Sequence, residues 1–212
     1  MNPLPRRGLY AITDPFLLPG ERLLSGVAAA LKGGAVMVQY RDKHCSGREA
    51  RQRGAQLLEL CREYGVPLII NDNPDLAHEL GADGVHLGRS DPDLAGSRQR
   101  LGSNAIIGAS CQGDVEHAAL VAGNPADYVA FGRFFTSNTK SGAGRAPLHV
   151  LEQARSLGVP RVAIGGITLD NAPPVIAAGA DLLAVVQGLF GAEDIEARAR
   201  AFSQLFEPFV NE

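Results

Sequence analysis

Long hydrophobic runs are missing from this chain of 212 residues, and none approaches the ~18 residues of a membrane-spanning helix. Cysteine is scarce. Cys45, Cys61 and Cys111 are odd in number and unclustered, which argues against a disulfide or zinc framework and suits a reducing cytosol. They are expected to serve as small hydrophobes or surface thiols. Neither sign of charge dominates: a net charge of −3 offers no basic field, which argues against nucleic acid as a partner. Residues Met1 to Gly8 hold Arg6 and Arg7 but no apolar h-region, so no secretory signal is expected and the expected compartment is the cytoplasm. The five histidines (His44, His78, His86, His117 and His149) show no metal-binding spacing. His86 is expected to be a core histidine with a satisfied hydrogen bond.

What remains is an ordinary globular composition, 45% apolar and 20% charged, on a chain long enough for one large domain. Short β-branched, apolar runs alternate with Ala- and Leu-rich segments of helical character. Strands are expected near Gly8–Thr13, Ala35–Arg41, Pro67–Asp72, Gly84–Leu87, Ala105–Ser110, Tyr128–Gly132, Arg161–Gly165 and Leu182–Val186. Helices are expected near Leu23–Lys32, Gly47–Tyr64, Asp75–Leu80, Asp91–Leu101, Asp114–Ala122, Pro147–Ser156, Asn171–Ala178 and Ile195–Phe206. Strict alternation of this kind calls for a parallel sheet closed on itself, an α/β fold of the single (β/α)8 TIM-barrel type. Residues 1–212 are read as one domain, with 1–7 as a flexible tail. Glycines at Gly33, Gly65, Gly81, Gly158 and Gly179 fall where helices should end. The Gly-Ala-Asp at 81–83 recurs at 179–181, and is assigned to stability on the face opposite the chemistry.

In such a barrel, functional residues lie at the C-terminal ends of strands. Along the second strand, period-two alternation puts Met37, Gln39, Arg41 and Lys43 on one face and Val36, Val38 and Tyr40 on the other. Amide, guanidinium and ammonium in a row are costly to bury unless they meet an anion, and a phosphate or carboxylate fits them. Asp72 ends the third strand and Asp91 follows the fourth. Two carboxylates at one mouth point to a hard divalent cation, to a paired acid and base, or (for Asp91, just before Pro92) to helix capping. The loop Thr136 to Gly142 is rich in hydroxyls and contains Lys140, as suits a phosphate or pyrophosphate. Gly165-Gly166 and the end of the eighth strand occupy the place where many barrels hold a substrate phosphate.

Several of these motifs together resemble the thiamine-phosphate synthase family, also called thiamine-phosphate pyrophosphorylase. They are Gly8 to Asp14, Gln39-Tyr40-Arg41-Asp42-Lys43, Ile70-Asn71-Asp72, His86-Leu87-Gly88 with Asp91, Gly108-Ala109-Ser110, the Thr136 to Lys140 loop and Ala163 to Ile167. The resemblance runs in register from about Gly8 to Phe206. It implies condensation of 4-amino-2-methyl-5-hydroxymethylpyrimidine diphosphate with 4-methyl-5-(2-phosphoethyl)thiazole, giving thiamine phosphate and pyrophosphate. It further implies that Gln39, Tyr40, Arg41, Asp42, Lys43, Asn71, Ser110 and Lys140 bind the pyrimidine diphosphate, with Arg41, Lys43 and Lys140 catalytic. Asp72 and Asp91 match the family's Mg2+ ligands. Ser137, Asn138, Thr139, Gly166, Val186 and Gln187 match its thiazole phosphate site. The partners implied are small-molecule substrates, and nothing in the sequence fixes an oligomeric state.

The chain departs from the family pattern at three places. Asn73 stands where an acidic residue is common, Gly88-Arg89-Ser90-Asp91 replaces a more usual Gly-Gln-acidic-Asp, and Gln187 replaces a common serine. Two rivals share the barrel. A thiazole tautomerase would use a histidine soon after the fifth strand, where this chain has Gln112. A non-catalytic phosphometabolite-binding barrel would be expected to lose the metal carboxylates or Lys140, which are present.

Overall fold

A computed structural model of the chain describes residues 1–89, 93–136 and 145–209. Eight parallel strands close into a barrel in chain order: β1 Gly8–Ile12, β2 Met37–Tyr40, β3 Leu68–Asn71, β4 Gly84–Leu87, β5 Ile106–Gln112, β6 Tyr128–Gly132, β7 Arg161–Ile164 and β8 Leu182–Val185. β1 pairs with β8 and completes the ring. Between them run α1 Arg22–Lys32, α2 Gly47–Glu63, α3 Pro74–Leu80, α4 Leu94–Leu101, α5 Val115–Val121, α6 His149–Gln153 and α7 Ala172–Ala177. After β8 come α8 Gln187–Phe190 and α9 Ile195–Gln204. The TIM barrel expected from the alternation is therefore the fold.

Strand alternation divides the buried apolar residues into two sets. Tyr10, Ile12, Met37, Ile69, Ile106, Tyr128, Ala130, Val162, Leu182 and Ala184 point inward and fill the barrel. Leu9, Ala11, Val38, Ile70, Val85, Ile107, Val129 and Leu183 point outward and pack under the helices. The helix starts follow their cap residues. Asn73 accepts from the Leu76 N–H, Asp93 from those of Ala95 and Gly96, and Asp194 from that of Ala197. α4 thus begins at Leu94 behind Asp93, later than the expected start at Asp91. The helix expected over Pro147–Ser156 is a short α6 followed by a 3-10 turn, Ala154–Leu157, which Gly158 ends at φ 71°.

The N-terminal ends of the strands carry a repeated fastening. Asp83, Asp127 and Asp181 stand just before β4, β6 and β8. Each donates its backbone N–H to a carbonyl in the first two residues of the preceding strand: Leu68, Ile107 and Arg161 respectively. The carboxylate then takes that same residue's N–H, at 2.9, 2.7 and 2.8 Å. The Gly-Ala-Asp repeat read in the sequence is two of these three clamps, with Ala126-Asp127 the third. Residues 1–7, expected as a tail, lie against the same end. The Asn2 N–H reaches Asp83 Oδ1 at 2.6 Å, and Leu4 packs on the inner cluster.

Candidate active site

The opposite end of the barrel gathers the polar residues. Thr13 and Asp14 leave β1 almost fully buried. Thr13 Oγ1 accepts from the Arg41 N–H at 2.9 Å and donates back to the Arg41 carbonyl at 3.2 Å, which fixes the chain just past β2. Asp14 takes the N–H groups of Phe16 and Leu17, and its other oxygen stands 4.0 Å from the Arg41 guanidinium. Arg41, largely buried, is thereby held at the rim. Lys43 Nζ reaches across to Asp72 Oδ2 at 3.2 Å. Asp72 adopts φ 58°, a left-handed conformation that Asp tolerates better than most side chains and that is over-represented at functional sites. Its N–H is held by the His86 carbonyl at 2.9 Å. Asn71, immediately before it, ends β3 half-buried.

Below this rim a chain of hydrogen bonds crosses the barrel interior. Gln39 Nε2 donates to the Tyr10 hydroxyl at 2.6 Å, and Tyr10 meets the Tyr128 hydroxyl at 3.0 Å. Tyr128 meets His86 Nδ1 at 2.9 Å, and His86 Nε2 meets Ser110 Oγ at 2.9 Å. Burial pushes both phenols up, so each keeps its proton at neutral pH. The Tyr10 and Tyr128 rings pack edge to face at 6.1 Å, and His86 stacks on Tyr128 at 5.6 Å. Gly108 makes this possible, because a Cβ there would fall on the Tyr128 ring. Gln39, His86 and Ser110 were legible as site or core residues; Tyr10 and Tyr128 were missed. Their signal was a polar tip at an inward position of strands that otherwise carry apolar inward residues.

Two of the expected substrate contacts have side chains engaged elsewhere. Tyr40 points outward and packs under α2 against Gly54, as its alternation with Gln39 requires. Asp42 accepts from the His44 and Cys45 N–H groups and from Arg53 at 3.0 Å, so its carboxylate fastens the loop to α2. On the far side of the mouth, Gly165 and Gly166 have φ 105° and 66°. A Cβ on Gly166 would strike the Thr136 carbonyl, so glycine lets the β7 and β6 loops touch. Asn171 holds this turn: its Oδ1 accepts from the Thr168 N–H at 2.8 Å and its Nδ2 donates to the Gly166 carbonyl at 3.0 Å. Asn171 was read only as a helix start, and its role here was missed. Val186, half-buried, packs on the inner cluster, while Gln187 is exposed and opens the short α8 beside Gly191. Asp91, Ser137, Asn138, Thr139 and Lys140 lie outside the described residues. Among the described residues no three His, Cys, Asp or Glu side chains form a metal-binding group.

Comparison with known proteins gives a consistent result. The family model described as thiamine monophosphate synthase matches residues 9–189. A thiamine-phosphate synthase of Marinobacter nauticus is 52% identical over 203 residues, covering 95% of this chain and 91% of that protein. One from Methylobacillus flagellatus is 53% identical, covering 95% of this chain and 96% of that protein. The solved structure of thiamine phosphate pyrophosphorylase from Pyrococcus furiosus superposes with a TM-score of 0.85 at 35% identity, covering 97% and 98% of the two chains. With a closed eightfold barrel, cations and a carboxylate gathered at its C-terminal mouth, and relatives that match it nearly end to end, this chain belongs to the thiamine monophosphate synthase family of enzymes.

Proposed function

We propose that this enzyme joins 4-amino-2-methyl-5-hydroxymethylpyrimidine diphosphate to 4-methyl-5-(2-phosphoethyl)thiazole in the cytoplasm, releasing pyrophosphate and thiamine phosphate. The observation that carries the reading is the placement of Arg41, Lys43 and Asp72 on one rim of the mouth, above an interior lined by Gln39 and Ser110. Arg41 and Lys43 bind the diphosphate, one as a fork and the other as a point charge. Gln39, fixed by Tyr10, presents the rest of its amide to the pyrimidine. The electron-rich aminopyrimidine carries the positive charge left on its methylene as pyrophosphate departs, and the thiazole nitrogen then attacks that carbon. No protein nucleophile is required. The residues' task is to neutralise charge that grows on the leaving group, commonly the largest single catalytic contribution.

Mg2+ suits this donor set. It takes hard oxygens, typically one or two carboxylates together with substrate phosphate and water. Asp72 supplies one carboxylate, and Lys43 beside it releases that oxygen readily because both side chains are partly exposed. Asp91 is proposed as the second ligand. When bound, the ion would add Lewis-acid stabilisation of the departing pyrophosphate. The glycine turn at Gly165-Gly166, with Val186 and Gln187 beyond it, is proposed to take the thiazole phosphate through backbone N–H groups together with Ser137, Asn138 and Thr139, and Lys140 is proposed as a further contact to the diphosphate.

The test is pyrophosphate release by the purified protein given both substrates, with each omitted in turn and with the divalent ion chelated. Release matched by thiamine phosphate, and abolished by either omission or by chelation, is expected. Folded, Mg2+-loaded protein that releases nothing would refute the assignment.

A further inference from the structure

The interior hydrogen bonds run in one direction. Gln39 Nε2 is a donor and cannot accept, so the Tyr10 hydroxyl hydrogen, which must be given to some neighbour, goes to Tyr128. Tyr128 then accepts from Tyr10 and has its own hydrogen to place, and His86 Nδ1 is its partner. With Nδ1 accepting, a neutral imidazole carries its hydrogen on Nε2 and donates it to Ser110 Oγ. Ser110 therefore accepts on the interior side and keeps its own hydroxyl hydrogen for something else. It is half-buried, two residues before the C-terminal end of β5.

We propose that His86 is a positioning residue that fixes Ser110 as a hydrogen-bond donor facing the substrate anion. Tyr10 and Tyr128 act behind it to set its tautomer. This rests on the proposed diphosphate site, and gives that site a neutral, preoriented donor beside the cations of the rim. Five side chains, from β2, β1, β6, β4 and β5, are spent on aiming one hydrogen, and the direction of the whole line is decided by which end of the Gln39 amide faces Tyr10. Turned over, that amide would accept from Tyr10 and each bond would reverse. Tyr128 would donate to Tyr10, His86 would donate through Nδ1, and Ser110 would give its hydrogen to His86 and reach the substrate only as an acceptor, which an anion rejects. One line of bonds thus has two readings of opposite consequence for the same serine.

The tautomer is directly observable. Nitrogen-labelled histidine in the full-length protein at mildly alkaline pH, with the His86 ring assigned by through-bond correlation, is expected to show hydrogen on Nε2 and none on Nδ1. Any state with Nδ1 protonated overturns the proposal. This reading needs no turnover, so a protein with the expected tautomer but no synthase activity would refute the assigned reaction while upholding the direction of the chain. Kinetics supply the second arm. His86→Asn, whose amide cannot reach Ser110, is expected to lower kcat about tenfold with little change in KM, less than the about 10²–10³ that losing an aimed donor outright costs, because Ser110 keeps its hydroxyl. His86→Gln, whose Nε2 stands near the original nitrogen, should recover most of that loss. In a Ser110→Ala background His86→Asn should cost nothing more, because residues acting as a unit are non-additive. Additive losses, or equal losses for Asn and Gln, would overturn the positioning role.

Discussion

Asp181→Ala tests the clamp at the closed end of the barrel. The Asp181 carboxylate takes the Arg161 backbone N–H at 2.8 Å, its Nε at 2.9 Å and its Nη2 at 3.1 Å, with both side chains only 14% exposed. Removing one partner of a buried, fork-geometry pair costs about 3–5 kcal/mol, because the remaining charge and N–H are left without an acceptor. Residual exposure lets water repair part of the loss, which brings the expected cost to about 2–3 kcal/mol. For a chain of this size that is a fall in Tm of about 4–12 °C. The assay is thermal unfolding followed by circular dichroism, alongside steady-state kinetics at a temperature where both proteins are folded. kcat/KM should be unchanged, since Asp181 stands at the end of the barrel opposite Arg41 and Lys43. The double variant Arg161→Ala with Asp181→Ala should lose less than the sum of the two single changes, because no unpaired charge is then left behind. A Tm shift under about 2 °C for Asp181→Ala would refute the structural role.

Gly166→Ala should leave the barrel folded and raise KM for the thiazole phosphate by about tenfold or more, because the Cβ forces apart the β7 and β6 loops that would hold it; an unchanged KM would remove Gly166 from that site. At the alkaline end, burial pushes the Cys61 and Cys111 thiols up to about 12, from an ordinary value of 9.0. A raised folded-state value means that stability is full below about 9 and is lost as pH rises toward 12, where the unfolded chain has already released those protons. Base titration should therefore unfold the protein within that window. Phenolate absorbance from Tyr10 and Tyr128 should grow with unfolding and not ahead of it, and smooth phenol ionisation in the folded protein would contradict their burial.

Strand positions were legible because β-branched runs are short and the glycines between them punctuate helix ends; Gly84–Leu87 and Tyr128–Gly132 match residue for residue. The outward turn of Tyr40 followed from alternation alone, and its expected contact with substrate came from the motif around it. What sequence could not supply was pairing across the ring. Tyr10 and Tyr128 are 118 residues apart, and neither β1 nor β6 read alone tells which inward residue will face it. The same holds for Asp14, whose neighbour Arg41 comes from the next strand, and for Asn171, whose bonds to the glycine turn depend on how α7 docks. Asn73, unusual for the family, is explained by its use as the α3 cap, a task that needs an acceptor but not a charge. α8 was missed because four residues are too few to show helical periodicity.

The three aspartate clamps also bear on the order in which the barrel can assemble. Each one joins strands that are consecutive in the chain, β3 with β4, β5 with β6 and β7 with β8, across separations of 15, 20 and 20 residues. Closing loops of that length costs little entropy compared with bringing the two ends of the chain together. Strand pairs can therefore be fastened early and locally, as separate βαβ units whose helix forms the crossover between parallel strands. Only β1 has to wait for β8 to find its second neighbour. Ring closure is then a late event, at a seam that carries no aspartate clamp of this kind.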